Sequence, residues 1–309
     1  LAILGFFKYF NFFAESFSGL LLNFGIESDW QTLNIILPVG ISFYTFQTMS
    51  YTIDIYRKEL EPTQRFLDFA LFVAFFPQLV AGPIERVKNL LPQVLTPRTM
   101  TLEKFYEGSF LIFWGLFQKV FIADNLAKYV DNVFVMPEPY NGIEVLCAVY
   151  AFAFQIFCDF AGYSNIARGL GKIMGFDLMV NFRLPYFATN PTDFWKRWHI
   201  SLSSWLKNYL YIPLGGNRLG VKKTVRNLGI TMLLGGLWHG AAWTFVFWGA
   251  YHGALLIGYR LTSPLFSKKP FIKNMVNSNA GFLIRILFFF HLTCLGWLIF
   301  RAQTISQLG

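Results

Sequence analysis

Long apolar runs separated by short polar stretches dominate the chain. A helix needs about 20 apolar residues to cross roughly 30 Å of hydrocarbon. Runs of that order occur at residues 34–56, 66–82, 105–123, 143–167, 228–259 and 281–300, and residues 1–24 supply part of another. The pattern predicts an all-α protein, a polytopic transmembrane helical bundle. The run 228–259 is too long for one comfortable span and carries Gly235, Gly236 and Gly240. It predicts a broken helix or two shorter ones. Interrupted helix at membrane depth is tolerated only where protein or a water-filled cavity surrounds it, so this stretch is functional ground. The segment 201–214 differs. Leu202, Trp205, Leu206, Tyr209 and Leu210 fall on one helical face. Pro213 ends it, and Gly215, Gly216 and Asn217 make a turn. This predicts a short amphipathic helix, lying in the interface or dipping back into the membrane.

Charge sharpens the picture. Only 14% of the 309 residues are charged, against 55% hydrophobic, where a soluble chain carries about 25% charged residues. A soluble protein of this length needs more polar side chains to cover its surface. The charge is also uneven. Between residues 168 and 226 stand ten cations, from Arg168 to Arg226, against Asp177 and Asp193 alone. Positive loops stay on the cytoplasmic side, so residues 168–226 form an expected basic cytosolic or re-entrant connection inside one membrane domain, 1–309. A nucleic-acid surface is a poor reading, because these cations are interleaved with membrane-grade apolar residues. The chain opens on Leu1 inside an apolar run and stops after Gly309 without a tail; it reads as a fragment lacking both ends.

The chemistry-bearing residues are few. Cys147, Cys158 and Cys294 lie scattered in apolar runs without CxxC spacing, which reads as buried packing thiols rather than disulfides or a zinc site. No histidine spacing suggests a metal. Asp159 sits in an apolar run, either as a proton-relay or metal residue or as the partner of a cation in the bundle. Ser201, Ser203 and Ser204 lack a GxSxG elbow.

Of the four histidines, His291 lies in a Phe- and Leu-rich run and reads as structural. His252 lies between small residues and reads as packing or support. His239 lies in LLGGLWHGAAW. Ionisable residues inside membrane segments are functional candidates, glycines on either side allow close approach of a ligand, and desolvation favours the uncharged imidazole. That form can take a proton from a hydroxyl during acyl transfer. His199 lies in DFWKRWHISLS, beside Trp195, Lys196, Arg197 and Trp198. Two readings stand: an interfacial anchor, or a second active-site histidine beside a cationic entry for an anionic substrate.

Four long motifs occur in order: ISFYTFQTMSYTIDIYR with FFPQLVAGPIER, then QIFCDFAGYSNIARGLGKIMGFDLMVNFRLPY, DFWKRWHISLSSWLKNYLYIPLGGNR and LLGGLWHGAAWTFVFWGAYHG. Together they resemble the membrane-bound O-acyltransferase family, above all its bacterial alginate-acetylating branch. Cys158 and Asn165 are small departures from that pattern. The resemblance implies a ring of transmembrane helices around a thin centre, with funnels from both faces, and a chain lacking the family's first helices and its C-terminal part. It implies catalytic roles for His239 and His199. Trp195, Lys196, Arg197, Trp198, Lys207, Asn208 and Trp238 become candidate substrate-binding residues.

The implied donor is a cytosolic thioester, acetyl-CoA, with no bound cofactor. Its phosphates would be drawn by Lys196, Arg197 and Lys207. His239 would act as general base or first accept the acyl group itself. The implied acceptor is an exported polysaccharide such as alginate, reached directly or through a periplasmic acetyltransferase partner, at the bacterial inner membrane. Two rivals remain. The related D-alanyl-transfer branch takes its acyl group from a carrier protein and modifies teichoic acid. A proton-coupled transporter would also use a broken helix with intramembrane His and Asp.

Overall fold

The computed structural model describes residues 1–27, 32–33, 35–79, 82–135, 140–267 and 278–308. Among them all regular structure is helical. The chain runs α1 (Ala2–Leu4), a π-helical turn (Gly5–Tyr9), α2 (Phe10–Asn23), α3 (Ile41–Tyr56), α4 (Phe66–Val73), α5 (Val87–Leu95) and α6 (Leu102–Leu116). A second π-turn (Phe117–Ala123) leads into α7 (Asp124–Val135), followed by the long α8 (Gly142–Ile173). Then come the short α9 (Pro191–Phe194) and α10 (Ile200–Leu206), a third π-turn (Lys207–Tyr211), α11 (Val221–His239), α12 (Trp243–Ser267) and α13 (Asn279–Arg301).

Three of these stretches are long and apolar enough to cross a membrane: Leu102–Val135, Gly142–Ile173 and Asn279–Arg301. Their outer faces carry bare Phe110, Phe113, Phe121, Leu287 and Phe288, as expected where lipid is the solvent. The other predicted spans are shorter or more polar. The run 34–56 becomes the 16-residue α3, with Asn34 outside the described residues. The run 66–82 becomes α4 and a 3₁₀ turn (Phe76–Gln78), with Val80 and Ala81 outside the described residues. In α3 the polar stripe Gln47, Ser50 and Asp54 is buried while Tyr56 is bare. That stripe spaces at i, i+3 and i+7, so the helix turns its polar face into the protein.

Glycines set the closest packing. A Cβ on Gly115 would sit 2.5 Å from the Gly162 carbonyl, and one on Gly108 would sit 2.7 Å from that of Gly169. The two pairs run in opposite directions along α6 and α8, so these helices cross antiparallel with backbones touching, as small residues permit in membranes. Asn141 and Glu144 start α8 with a reciprocal cap, the Asn141 side chain accepting from the Ile143 and Glu144 N–H groups at 3.0 and 3.1 Å.

The predicted break in residues 228–259 exists, but not at Gly235 and Gly236. Both lie inside α11, where Gly236 meets the Phe245 carbonyl and the Gly249 Cα of α12. The helix stops at His239, turns through Gly240–Ala242 and restarts at Trp243. Gly240 lies against the Phe245 ring, leaving no room for a Cβ.

The segment 201–214 dips into the protein rather than lying in the interface. Ser201, Leu202, Trp205 and Leu206 are buried, and Trp205 stacks on Phe46 at 3.8 Å. The three cysteines are free thiols. Cys158 and Cys294 are buried as expected, but Cys147 is exposed, because its side of α8 faces outward.

Candidate active site

His239 is the last residue of α11, half-buried at the elbow before α12. The Trp238, Trp248 and Phe300 rings surround its imidazole at 5.1, 5.0 and 5.5 Å. The His199 ring lies 6.3 Å away. The two histidines, forty positions apart in sequence, therefore meet in space.

His199 is held differently. It precedes α10 in the left-handed conformation, φ 43 and ψ 55, which is strained for a non-glycine residue. Two backbone bonds impose it. The Ile200 N–H donates to the Asn181 carbonyl, and the Arg183 N–H donates to the Arg197 carbonyl, both at 2.9 Å. An extended strap after α8 thus clamps the segment around His199. Glu85 in turn accepts from the Met179 N–H of that strap. Burial pushes the Glu85 carboxyl up to about 7.

Two cavities share His239 and Trp248. The first, of about 340 Å³, also holds Lys8, Ser42, Asp159, Trp198, His199 and Trp238. The second, of about 410 Å³, is mostly apolar and holds Trp195, Lys196, Lys207, Leu228 and Met232. His239 is thus reachable from both. On residues that line the first cavity, His199 Nε2, Trp238 Nε1 and Trp248 Nε1 are buried without hydrogen-bond partners among the described residues. Each such group costs about 1–3 kcal/mol when left bare. Together they mark where a polar ligand would complete the bonding.

The candidate substrate residues divide. Trp195, Lys196 and Lys207 line the second cavity, while Trp198 and Trp238 line the first. Arg197 lines neither: its guanidinium pairs with Asp193 at 2.9 Å and braces the strap. Asn208 turns toward a separate polar cleft with Asp54, Arg57 and Arg86. Lys207 and Asn208 are neighbours at the start of the π-turn and border different cavities.

Asp159 pairs with Lys119 at 2.6 Å and also borders the first cavity. His252 is fully buried, stacked on Phe194 at 6.0 Å and edge-on to Trp248 at 4.8 Å. It supports the ring cluster behind His239. His291 is exposed on α13, with its Nδ1 2.7 Å from the Leu287 carbonyl. No cluster of three metal-ligating side chains occurs among the described residues.

Sequence reasoning missed Lys8, Asn181, Trp248 and Phe300. The Lys8 ammonium donates to Ser42 Oγ at 3.0 Å and to the Trp238 carbonyl. Two of its three protons are used by those bonds among the described residues, and Lys8 borders the first cavity. A lone lysine inside an apolar run was the available signal. Asn181 and the two rings carried none.

The site thus has one histidine, His239, where two cavities meet and a second, His199, in the first of them. The chain belongs to the membrane-bound O-acyltransferase family, whose model matches residues 61–300. It is 46% identical over 309 residues to a protein named "Probable alginate O-acetylase AlgI" from Azotobacter vinelandii, covering 99% of this chain and 59% of that protein. It is 38% identical over 332 residues to the "Peptidoglycan O-acetyltransferase" of Helicobacter pylori, covering 99% and 61%. It is 31% identical over 288 residues to the "Teichoic acid D-alanyltransferase" of Bacillus subtilis, covering 87% and 70%. The chain thus spans about three-fifths of the length of the two acetylating relatives.

Proposed function

We propose that this chain carries the reaction centre of a bacterial inner-membrane O-acetyltransferase. It takes an acetyl group from cytosolic acetyl-CoA and moves it toward hydroxyls of an exported polysaccharide such as alginate, directly or through a periplasmic partner acetyltransferase. The carrying observation is that His239 lies at the meeting of two cavities, one holding Lys196 and Lys207 and the other His199 and Lys8. The apolar cavity, with Lys196 and Lys207, suits the acyl chain and phosphates of the thioester donor. The other cavity, with His199 and Lys8 among its rings, suits a hydroxyl-bearing acceptor.

The chemistry follows from that layout. The uncharged His239 imidazole takes the proton of the acceptor hydroxyl as its oxygen bonds to the thioester carbonyl carbon. The tetrahedral intermediate bears an oxyanion, which the Lys8 ammonium would stabilise. The intermediate collapses, the carbon–sulfur bond breaks, and the leaving thiolate takes the proton back from His239. Acetyl-CoA is a substrate here rather than a resident cofactor. Residues 168–226 face the cytosol in this reading, which puts the donor cavity on the cytosolic side.

The wording of this chain's motifs and the higher identity to the acetylating relatives both favour acetyl transfer over D-alanyl transfer. The test is donor choice by the full-length protein in lipid nanodiscs, with radiolabelled acetyl-CoA and an oligosaccharide acceptor or the partner. One free CoA is expected per acetyl group delivered. Transfer only from an acyl-charged carrier protein contradicts the reading. So does passage of an intact substrate with no acyl loss, which is what a transporter would give.

A further inference from the structure

We propose that Asn181 is a positioning residue that fixes the tautomer of His199, so that His199 Nε2 faces the acceptor cavity as a bare hydrogen-bond acceptor. The inference rests on the acyl-transfer reading for its catalytic consequence, but not for its geometry.

The assignment starts from a donor that cannot be reversed. The Ser201 backbone N–H lies 3.2 Å from one terminal atom of the Asn181 amide. A backbone N–H only donates, so that atom is the carbonyl oxygen Oδ1. Flipping the amide would set an NH₂ group against an N–H. The other end agrees, since Asn181 Nδ2 lies 3.2 Å from Ser164 Oγ. The same Oδ1 lies 3.2 Å from His199 Nδ1. Oxygen is acceptor-only there, so Nδ1 must carry the proton; two lone pairs would otherwise face each other in a buried site. Ser201 Oγ gives no escape. It lies 2.9 Å from Asn181 Oδ1 but 3.4 Å from His199 Nδ1, and its proton goes to the nearer acceptor.

With Nδ1 protonated, an uncharged His199 has a bare Nε2. That nitrogen is buried without a partner, on a residue that lines the cavity shared with His239. Asn181 itself is 1% exposed and its backbone also clamps Ile200, so it cannot drift from this position. Next to Nδ1–H it takes the orienting place that a carboxylate holds in other histidine sites, without adding charge. A bare Nε2 can only receive a proton. It can therefore accept a hydrogen bond from a second hydroxyl of the acceptor sugar and orient that sugar, while the attacking hydroxyl gives its own proton to His239. The opposite tautomer would present an N–H and could not accept that bond.

The experiment uses full-length protein with ¹⁵N-labelled histidine, the His199 signals being assigned by subtraction against His199→Ala. Wild type should show an N–H at Nδ1 and an unprotonated Nε2. Asn181→Asp keeps an oxygen facing Nδ1 and should keep that tautomer. Asn181→Leu should lose it, and kcat for acetyl transfer should fall about 10²-fold with KM little changed. An N–H at Nε2 in wild type, or an unchanged kcat in Asn181→Leu, would overturn the proposal. If Asn181→Leu does not fold, the wild-type spectrum and Asn181→Asp still decide. Failure of the enzymatic reading would appear separately, as absence of acetyl transfer by the wild-type protein whatever the tautomer.

Discussion

The α6–α8 wall and the centre around His239 are built by opposite rules. The wall is long, apolar and continuous, and glycines bring its two helices into backbone contact. The centre is short, broken and polar. It combines an elbow after His239, a strap that holds His199 in a left-handed conformation, and several buried polar groups without partners. Lipid selects the first kind of element for length and hydropathy. The second kind persists only because the wall and its neighbours enclose it. Strain and bare polar groups are affordable at the centre because the surroundings over-determine them.

The largest expected effects separate the two regions by what they damage. Gly115→Val, in the wall, should destabilise the fold by about 1–3 kcal/mol through overpacking while leaving kcat per folded molecule unchanged. Gly236→Val, where α11 packs on α12, should destabilise comparably and also lower kcat, because it pushes α12 and Trp248 away from His239. Thermal unfolding alongside turnover per folded molecule checks both. Equal kcat losses in the two variants would erase the distinction.

His199→Ala should lower kcat about 10²-fold with little change in melting temperature, since the strap's backbone bonds remain. Removing charge in the donor cavity should matter less. Lys196→Gln with Lys207→Gln should raise KM for acetyl-CoA several-fold, an effect that shrinks as salt screens the wild type. Arg197→Gln should leave KM for acetyl-CoA almost unaltered, because that side chain braces the strap and lines neither cavity.

One further effect falls on stability alone. The Glu85 carboxyl is raised from 4.5 to about 7 by burial, so the folded state holds a proton that the unfolded state releases first. Stability therefore falls as pH rises from about 4.5 to about 7 and is flat beyond. Glu85→Gln keeps an oxygen for the Met179 N–H, and its stability advantage should grow across that window. Melting curves across the range check it, and a pH-independent difference would contradict it.

How much of this was legible follows the same division. The spans at 105–123, 143–167 and 281–300 were visible because a hydropathy window needs no knowledge of neighbours. The π-turns at Gly5–Tyr9, Phe117–Ala123 and Lys207–Tyr211 were not. Gly235 and Gly236 looked like a helix break, yet glycine in a membrane helix also serves close packing; only Gly249 across the interface decides between the two. His239 stood out as an ionisable residue at membrane depth, and the motifs of the family then paired it with His199. Asn181 lay in an aperiodic loop, where a buried amide looks like any exposed one. Trp248 and Phe300 were hidden among many rings.

The central claim is that His239 serves both cavities as the proton acceptor. The direct measurement is single-turnover acetyl transfer by full-length His239→Ala beside wild type, each reconstituted in lipid and matched for folded protein and for acetyl-CoA binding. The account predicts that the variant binds acetyl-CoA as wild type does and transfers at least about 10³-fold more slowly. Transfer within about tenfold of wild type would contradict it.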